Sequence, residues 1–473
     1  MNKLPTFSKP NLLFGLTVIF WTALFFLGGG ARADIQSLTI LRPIAVILLA
    51  YGLWGVSKNE IQPFKFLWVL FGACALLVTI HLLPLPHIVW PNLPDRELNA
   101  ETDKIAGLGE LWRPLSLAPN DSWNALYAML VPAAAIVLFS RMTAANHQTM
   151  IAITLLIGLV SAFIGILQVL GPNNGALYFY RITNQSGAVG LFANRNHHAV
   201  FLACLIPMLA VFASGFSGRV ATRRVFYAGA LAAGAMLLLL ILISGSRAGL
   251  LVAIIGIFAA PMLLRSEGKS VHAPLKRLSV TWFNTKTVAL AATSFAVILL
   301  AILNSRAVSF DRLFGEGHDG LRLQIWGPIA KIAWTYFPFG SGFGTFVDVY
   351  KIHEPAAMLS QEYPNHAHND LIELLMTAGL PGLLLLLVGT LAWGRQAYYL
   401  FLKALDNSRH VRMARLGAVI ILMLGIASLV DYPLRTPSLA GLLILASILM
   451  GSAKNHRAHT RRQKKLETAA SLW

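Results

Sequence analysis

The chain has 473 residues, 56% of them hydrophobic and 12% charged, with a formal net charge of +18. Soluble globular domains carry about 25% charged residues, so this composition excludes one. Cys74 and Cys204 both lie inside apolar runs, which excludes a disulfide framework and a cysteine metal site.

Apolar runs long enough to cross a bilayer core of roughly 30 Å recur along the chain. In order, the predicted spans are 12–31, 38–56, 64–83, 123–140, 150–170, 197–214, 225–243, 249–264, 287–303, 370–393, 416–431 and 438–452. The fold expected is all-α: a polytopic integral membrane protein of about twelve helices, with a long outer loop that carries a short helix. Ala31-Arg32-Ala33 after the first run has the look of a signal-peptidase site. The run is longer than a signal core, however, and its removal would invert the topology that the charges support, so an uncleaved first helix is expected.

Lys and Arg decide the orientation. With the N-terminus inside, the inner segments hold 24 basic and four acidic residues, and the outer segments hold 13 basic and 16 acidic. Arg42, within the second run, completes the basic set. Both termini are therefore expected in the cytoplasm. The high pI invites a nucleic-acid reading. The excess is spread over short inner loops and a tail (Lys454, Arg457, Arg461, Arg462, Lys464, Lys465), where topology and anionic headgroups account for it. No nucleic-acid partner is expected.

Three outer connections are long. Residues 84–122 are rich in proline and carry Asp95, Glu97, Glu101, Asp103 and Glu110. Residues 171–196 hold Tyr178-Phe179-Tyr180 and lead into Asn194-Arg195-Asn196-His197-His198. In 304–369, Leu323, Ile325, Trp326, Ile329, Ala330, Ala333 and Trp334 recur at helical spacing and predict a helix over 321–337, ended by Phe337-Pro338. Phe339-Gly340-Ser341-Gly342-Phe343-Gly344 reads as a flexible, turn-prone strip, and 345–365 as irregular. Three parts follow: 1–150 with the 84–122 loop, a transmembrane domain over 150–452 with the 304–369 loop, and a basic tail over 453–473.

The loop closes on His366-Ala367-His368-Asn369-Asp370 and turns straight into an apolar run. Ionisable groups at a membrane boundary are costly to desolvate. A histidine with its ordinary pKa near 6.5 suits a general base. His-x-His also suits a metal, but no further ligand set stands nearby, and no metal is expected. The structural alternative is a histidine that caps the next helix, with Asn369 or Asp370 as N-cap; Glu373 faces either a cavity or a partner. Arg247 interrupts a long apolar stretch within Ser244-Gly245-Ser246-Arg247-Ala248-Gly249. Its planar fork suits phosphate oxygens, against the alternative of a snorkelling arginine in a tight turn. Arg322 opens the loop helix, with Arg306 and Arg312 as nearby alternatives. Asn194, Arg195, Asn196 and His197 suit hydrogen bonds to sugar hydroxyls, or simply end a helix.

Taken in order, these pieces resemble the O-antigen ligase and O-antigen polymerase superfamily, bacterial membrane glycosyltransferases of the GT-C type. The resemblance covers most of 150–450. It rests on Gly190-Leu191-Phe192-Ala193-Asn194-Arg195-Asn196-His197, on Ser244 to Gly249, on Arg322 with Trp326, on Pro338 to Gly344, and on His366 to Asp370 followed by Ala378-Gly379-Leu380-Pro381-Gly382. It implies transfer of a glycan from undecaprenyl diphosphate, on the periplasmic face of the bacterial inner membrane, to a glycan or lipid A–core acceptor. Arg247 and Arg322 match the diphosphate-binding positions and His368 the position at the reacting centre. Asn194, Arg195, Asn196, His366, Asn369 and Asp370 are candidate substrate-binding residues beside them. The resemblance further implies inversion without metal or other cofactor. Some relatives glycosylate proteins instead. A transporter or flippase of lipid-linked sugars is the alternative class. It predicts charges mid-span and paired broken helices, whereas only Arg42 lies mid-span and no paired halves are evident.

Overall fold

The structure is a computed structural model that describes residues 12–173, 175–185, 187–215, 220–264, 317–359, 363–404 and 408–452. The helices are α1 Leu12–Leu27, α2 Leu38–Leu53, α3 Lys65–Leu82, α4 Glu97–Ile105, α5 Pro119–Ser140, α6 Ala144–Leu170, α7 Arg195–Ser214, α8 Val220–Ser244, α9 Arg247–Leu263, α10 Gly317–Thr335, α11 Phe346–His353, α12 Asp370–Tyr398, α13 Arg409–Ser428 and α14 Pro437–Ser452. Among the described residues, seven helices are long and apolar enough to cross a membrane: those of α3, α5 to α8, α12 and α13. Four shorter apolar helices, α1, α2, α9 and α14, accompany them. Each predicted span that falls within the described residues is helical; the one at 287–303 lies outside them.

Apolar residues cover these helices on all sides, as helices buried in protein and lipid require. Trp21, Phe25, Phe139 and Phe201 are fully buried and join α1, α5 and α7. The Trp21 indole donates to Thr154 Oγ1 on α6 at 2.9 Å, so its one polar atom is satisfied inside the apolar core.

The chain alternates between two ends of the bundle. Ser438 N, at the start of α14, donates to Gly28 O just past α1. Ala193 N, just before α7, donates to Gly29 O. Gly249 and Gly256 let α9 lie against α7. A Cβ on Gly249 would stand 2.4 Å from the Ala199 Cβ, and one on Gly256 would meet Pro207 Cδ at 3.2 Å. These contacts run in the same chain order on both helices, so α7 and α9 are parallel and start at the same end. The long connections collect at this end, called the loop end here. The chain is at the opposite end at Leu263 and back at the loop end by Trp326, whose indole donates to Ala367 O at 3.0 Å.

Three expectations for the 304–369 loop are corrected. Residues 345–365 are not wholly irregular: α11 forms because Phe346, Val349 and Tyr350 fall on one helical face and bury together. They pack with Ile329, Ile332, Ala333 and Tyr336 of α10 and its end, and with Met376 of α12. Trp334, counted in the apolar stripe, is 63% exposed, because the buried face of α10 is the narrower one through Ile329, Ile332, Ala333 and Tyr336.

The strip 338–344 is pinned rather than free. Helix α12 breaks at Gly379 (φ 57°, ψ −150°), where a Cβ would sit 2.1 Å from Pro338 O. The strip uses the backbone groups that this break frees. Leu380 N donates to Pro338 O at 2.8 Å, Ser341 N to Met376 O at 2.9 Å, and Gly342 N to Thr377 O at 2.9 Å. A broken apolar helix is tolerated when neighbouring backbone satisfies it in this way. Gly340, Gly342 and Gly344 all have positive φ, the conformation that lets the strip pass this close. Leu117 N donates to Ser341 O, which ties the 84–122 connection to the 338–344 strip.

Candidate active site

The segment His366 to Asp370 is held on both sides of its main chain. Asn369 is the N-cap of α12, its side chain accepting from Leu371 N at 3.0 Å and Ile372 N at 3.2 Å. One turn into the helix, Glu373 is 2% exposed and turns back on the loop. Its Oε2 accepts from Ala367 N at 2.9 Å and its Oε1 lies 2.9 Å from His366 Nδ1. Ala367 O takes the Trp326 indole. Arg435, between α13 and α14, reaches Glu373 Oε1 at 3.2 Å and donates through Nε to Asp370 Oδ1 at 3.1 Å. Its guanidinium pKa is raised: burial works against the charge, and the carboxylates of Glu373 and Asp370 outweigh it. A buried carboxylate so paired retains its charge, and removal of either partner would leave an uncompensated ion.

His368 has a different setting. Its φ is +51°, in the left-handed region, where non-glycine residues are uncommon and histidine is among the more tolerant. Such conformations cost on the order of 1–3 kcal/mol and persist where surrounding contacts hold them. The holding contact is Asp431, whose Oδ1 lies 3.2 Å from His368 Nδ1. Asp431 is fully buried. Its Oδ1 also accepts from Tyr432 N at 3.0 Å, and its Oδ2 accepts from Asn196 Nδ2 at 2.7 Å. His197 Nε2 stands 3.9 Å from Oδ1. The Tyr432 ring lies among three imidazoles, with centroids 4.4 Å from His366, 4.8 Å from His368 and 5.0 Å from His197.

An imidazole whose Nδ1 donates to a buried carboxylate presents Nε2 as its basic nitrogen, and the carboxylate stabilises the imidazolium that forms on protonation. The His368 side chain is 17% exposed and the Asp431 side chain 1%. The His368 ring is therefore reachable from solvent and the Asp431 carboxylate is not. Among the described residues, no group of three or more His, Cys, Asp or Glu side chains is placed to hold a metal ion.

The structure thus brings together His366, His368, Asn369, Asp370 and Asn196. Asn194 is the N-cap of α7, accepting from Asn196 N at 2.8 Å, and Arg195 N donates to Asn184 Oδ1; these two shape the turn that places Asn196. Arg247 is the first residue of α9 and is exposed. Gly245 has a φ of +62° and Ser246 caps the helix by accepting from Gly249 N at 3.0 Å. Because α9 starts beside the first turn of α7, Arg247 stands at the same end of the bundle as the histidines. Arg322 is carried on α10 one turn before Trp326; its side chain lies outside the described residues, as do Arg306 and Arg312.

Residues 231–387 match a family model described as O-antigen ligase. Over this third of the chain the protein is similar to the O-antigen ligase family. No curated protein matches the chain. The matched segment includes Arg247, Arg322, the 338–344 strip, both loop histidines and Glu373. Other members of the cluster come from outside it: Asn196, which holds Asp431, from α7, and Asp431, Tyr432 and Arg435 from the turn between α13 and α14. Asp431 and Arg435 are the site residues that sequence reasoning missed. The available signal was an acid at the very end of the apolar run 416–431, where a charge is expensive without a partner.

Proposed function

We propose that the protein transfers a glycan from undecaprenyl diphosphate to a sugar hydroxyl on the periplasmic face of the bacterial inner membrane. The observation that carries this reading is His368 seated on buried Asp431, at the loop end of an apolar bundle that is similar over 231–387 to the O-antigen ligase family. Charge supports the orientation. Lys58, Arg141, Arg224, Arg409, Arg412 and Arg415 lie at the opposite end of the bundle, next to the starts or ends of α3, α5, α8 and α13, the cytoplasmic pattern.

In this mechanism the acceptor hydroxyl gives its proton to His368 Nε2 as its oxygen attacks the anomeric carbon. The bond from that carbon to the diphosphate oxygen breaks, and the electron pair leaves with the lipid diphosphate. The proton stays on His368, where Asp431 stabilises it, until solvent takes it. Negative charge grows on the leaving diphosphate, and the guanidinium groups of Arg247 and Arg322 neutralise it. The donor carries its own leaving group, so neither nucleotide nor metal is called for. One displacement gives inversion. Asn196, His366, Asn369 and Asp370 hold the loop that positions His368, and the cap and first two residues of α7, Asn194 to Asn196, border the sugar.

Polymerase and ligase share this chemistry and differ in acceptor. Purified protein given lipid A–core or a second lipid-linked repeat unit separates them by the product formed. The test of the mechanism is His368→Ala in single-turnover transfer from a polyprenyl-diphosphate donor. Turnover falls by roughly 10²–10⁴, donor binding holds, and the ascending limb of the pH–rate profile disappears. Wild-type rates in the variant would remove the base assignment.

A further inference from the structure

The first outer loop forms a half-open cavity of about 350 Å³, lined by His87, Trp90, Asn92, Ala100, Asp103, Lys104, Glu110 and Leu111 among others. That volume falls in the range of small-molecule sites, about 300–1,000 Å³. Its walls are fixed. Strand β1 (Pro84–Leu85) pairs antiparallel with β2 (Arg113–Pro114). Arg113 forks onto both oxygens of Asp103. The Trp90 indole donates to Pro114 O at 2.7 Å, and Arg96 Nη2 donates to Leu115 O at 2.8 Å. Rigid walls reduce the ordering cost of binding.

The polar groups at this cavity are mixed: two carboxylates, an ammonium, an amide and an imidazole. Glu110 is 92% exposed and lies 3.3 Å from His87 Nε2, while His87 Nδ1 is buried without a hydrogen-bond partner. Carboxylates accept from hydroxyls, and ammonium and amide groups donate to them, so this mixture suits a polyhydroxylated ligand. Ile88, Leu111 and Trp112 are more than half exposed around it and offer apolar faces to the C–H side of sugar rings. Residues 84–118 carry five carboxylates against three cations, which disfavours an acidic glycan.

The cavity is also tied to the histidines. Behind Trp90, the Arg96 guanidinium is sandwiched at 5.6 Å from the Trp90 ring and 5.4 Å from the Tyr336 ring. Tyr336 directly follows α10, and the Trp326 indole of that helix holds Ala367 O, between His366 and His368.

We propose that this cavity is a carbohydrate subsite for neutral or amino-sugar glycans, and that it holds the acceptor while His368 acts on its terminal hydroxyl. The acceptor role rests on the transfer function proposed above; the sugar site does not. The experiment uses full-length protein in nanodiscs with three unlinked tetrasaccharides as probes: a neutral hexose, an N-acetylhexosamine and a hexuronic acid. Binding is measured by calorimetry and transfer in parallel. The wild type is expected to bind the hexose or the N-acetylhexosamine probe and to prefer it over the uronic acid. Ala100→Trp, which fills the cavity, and Glu110→Ala, at an exposed position, each weaken that binding about tenfold or more, as loss of one to two hydrogen bonds would. Both raise acceptor KM by a similar factor with kcat and donor binding unchanged, and with unchanged melting temperature. Variants that bind like the wild type, a preference for the uronic acid, or no binding to the wild type would each overturn the subsite. Binding that the variants lose, in a protein that transfers from no polyprenyl-diphosphate donor, would keep the subsite and overturn the transfer function.

Discussion

Asp431→Asn isolates the charge behind His368. The side chain keeps its shape, and Oδ1 continues to accept from His368 Nδ1 and Tyr432 N. The new amide nitrogen takes the place of Oδ2 opposite Asn196 Nδ2, and Asn196 answers by turning its own amide. Charge-assisted hydrogen bonds of about 1.5–3 kcal/mol become neutral ones of about 0.5–1.5 kcal/mol. Burying an amide instead of a carboxylate offsets part of that loss, so folding stability changes by no more than about 2 kcal/mol. The transfer step is affected more. The imidazolium that forms on His368 loses its counter-charge in a site where Asp431 is fully buried. A general-base contribution of roughly 10²–10⁴ corresponds to about 2.7–5.4 kcal/mol of barrier, and most of it is lost. The assay is single-turnover transfer with a lipid-linked donor, alongside donor binding and a thermal melt. Wild-type turnover in Asp431→Asn would refute the orienting role.

Arg247→Ala and Arg322→Ala are expected to abolish transfer in folded protein, and the Lys variants to rescue poorly for want of the bidentate fork; near-normal glycan output from Arg247→Ala would return that residue to a snorkelling role. His366→Ala is expected to cost less activity than His368→Ala and more stability, because it leaves Glu373 with one partner fewer; a larger activity loss at His366, with an unchanged melt, would reverse the assignment. Transfer by purified protein is expected to survive chelator, and loss restored by one divalent ion would establish a metal site. Cysteine labelling at Gly317 and at Ser408 is expected to report opposite sides of the membrane, and labelling from one side would sink the topology together with the site.

The apolar helices were legible because they depend on local properties. A run of apolar residues must become helix in lipid whatever its neighbours are. Asn369 was legible as a cap, since capping is a contact between residues two or three apart. The histidine pair stood out because it is polar at an apolar boundary. What His368 contacts was not legible, since that depends on a partner distant in the chain. His368 meets Asp431 across 63 residues, and Asp431 meets Asn196 across 235. Only the packing of α7, α12 and α13 at one end of the bundle brings them together. The same holds for Glu373, open between cavity and partner on spacing alone and decided by Arg435 from the α13–α14 turn. It holds too for the 338–344 strip, whose glycines spoke for flexibility until the break at Gly379 gave their backbone fixed partners. Local composition determined where helices form; the pairing of charges within the bundle, a matter of desolvation and long-range contact, was decided by the tertiary structure.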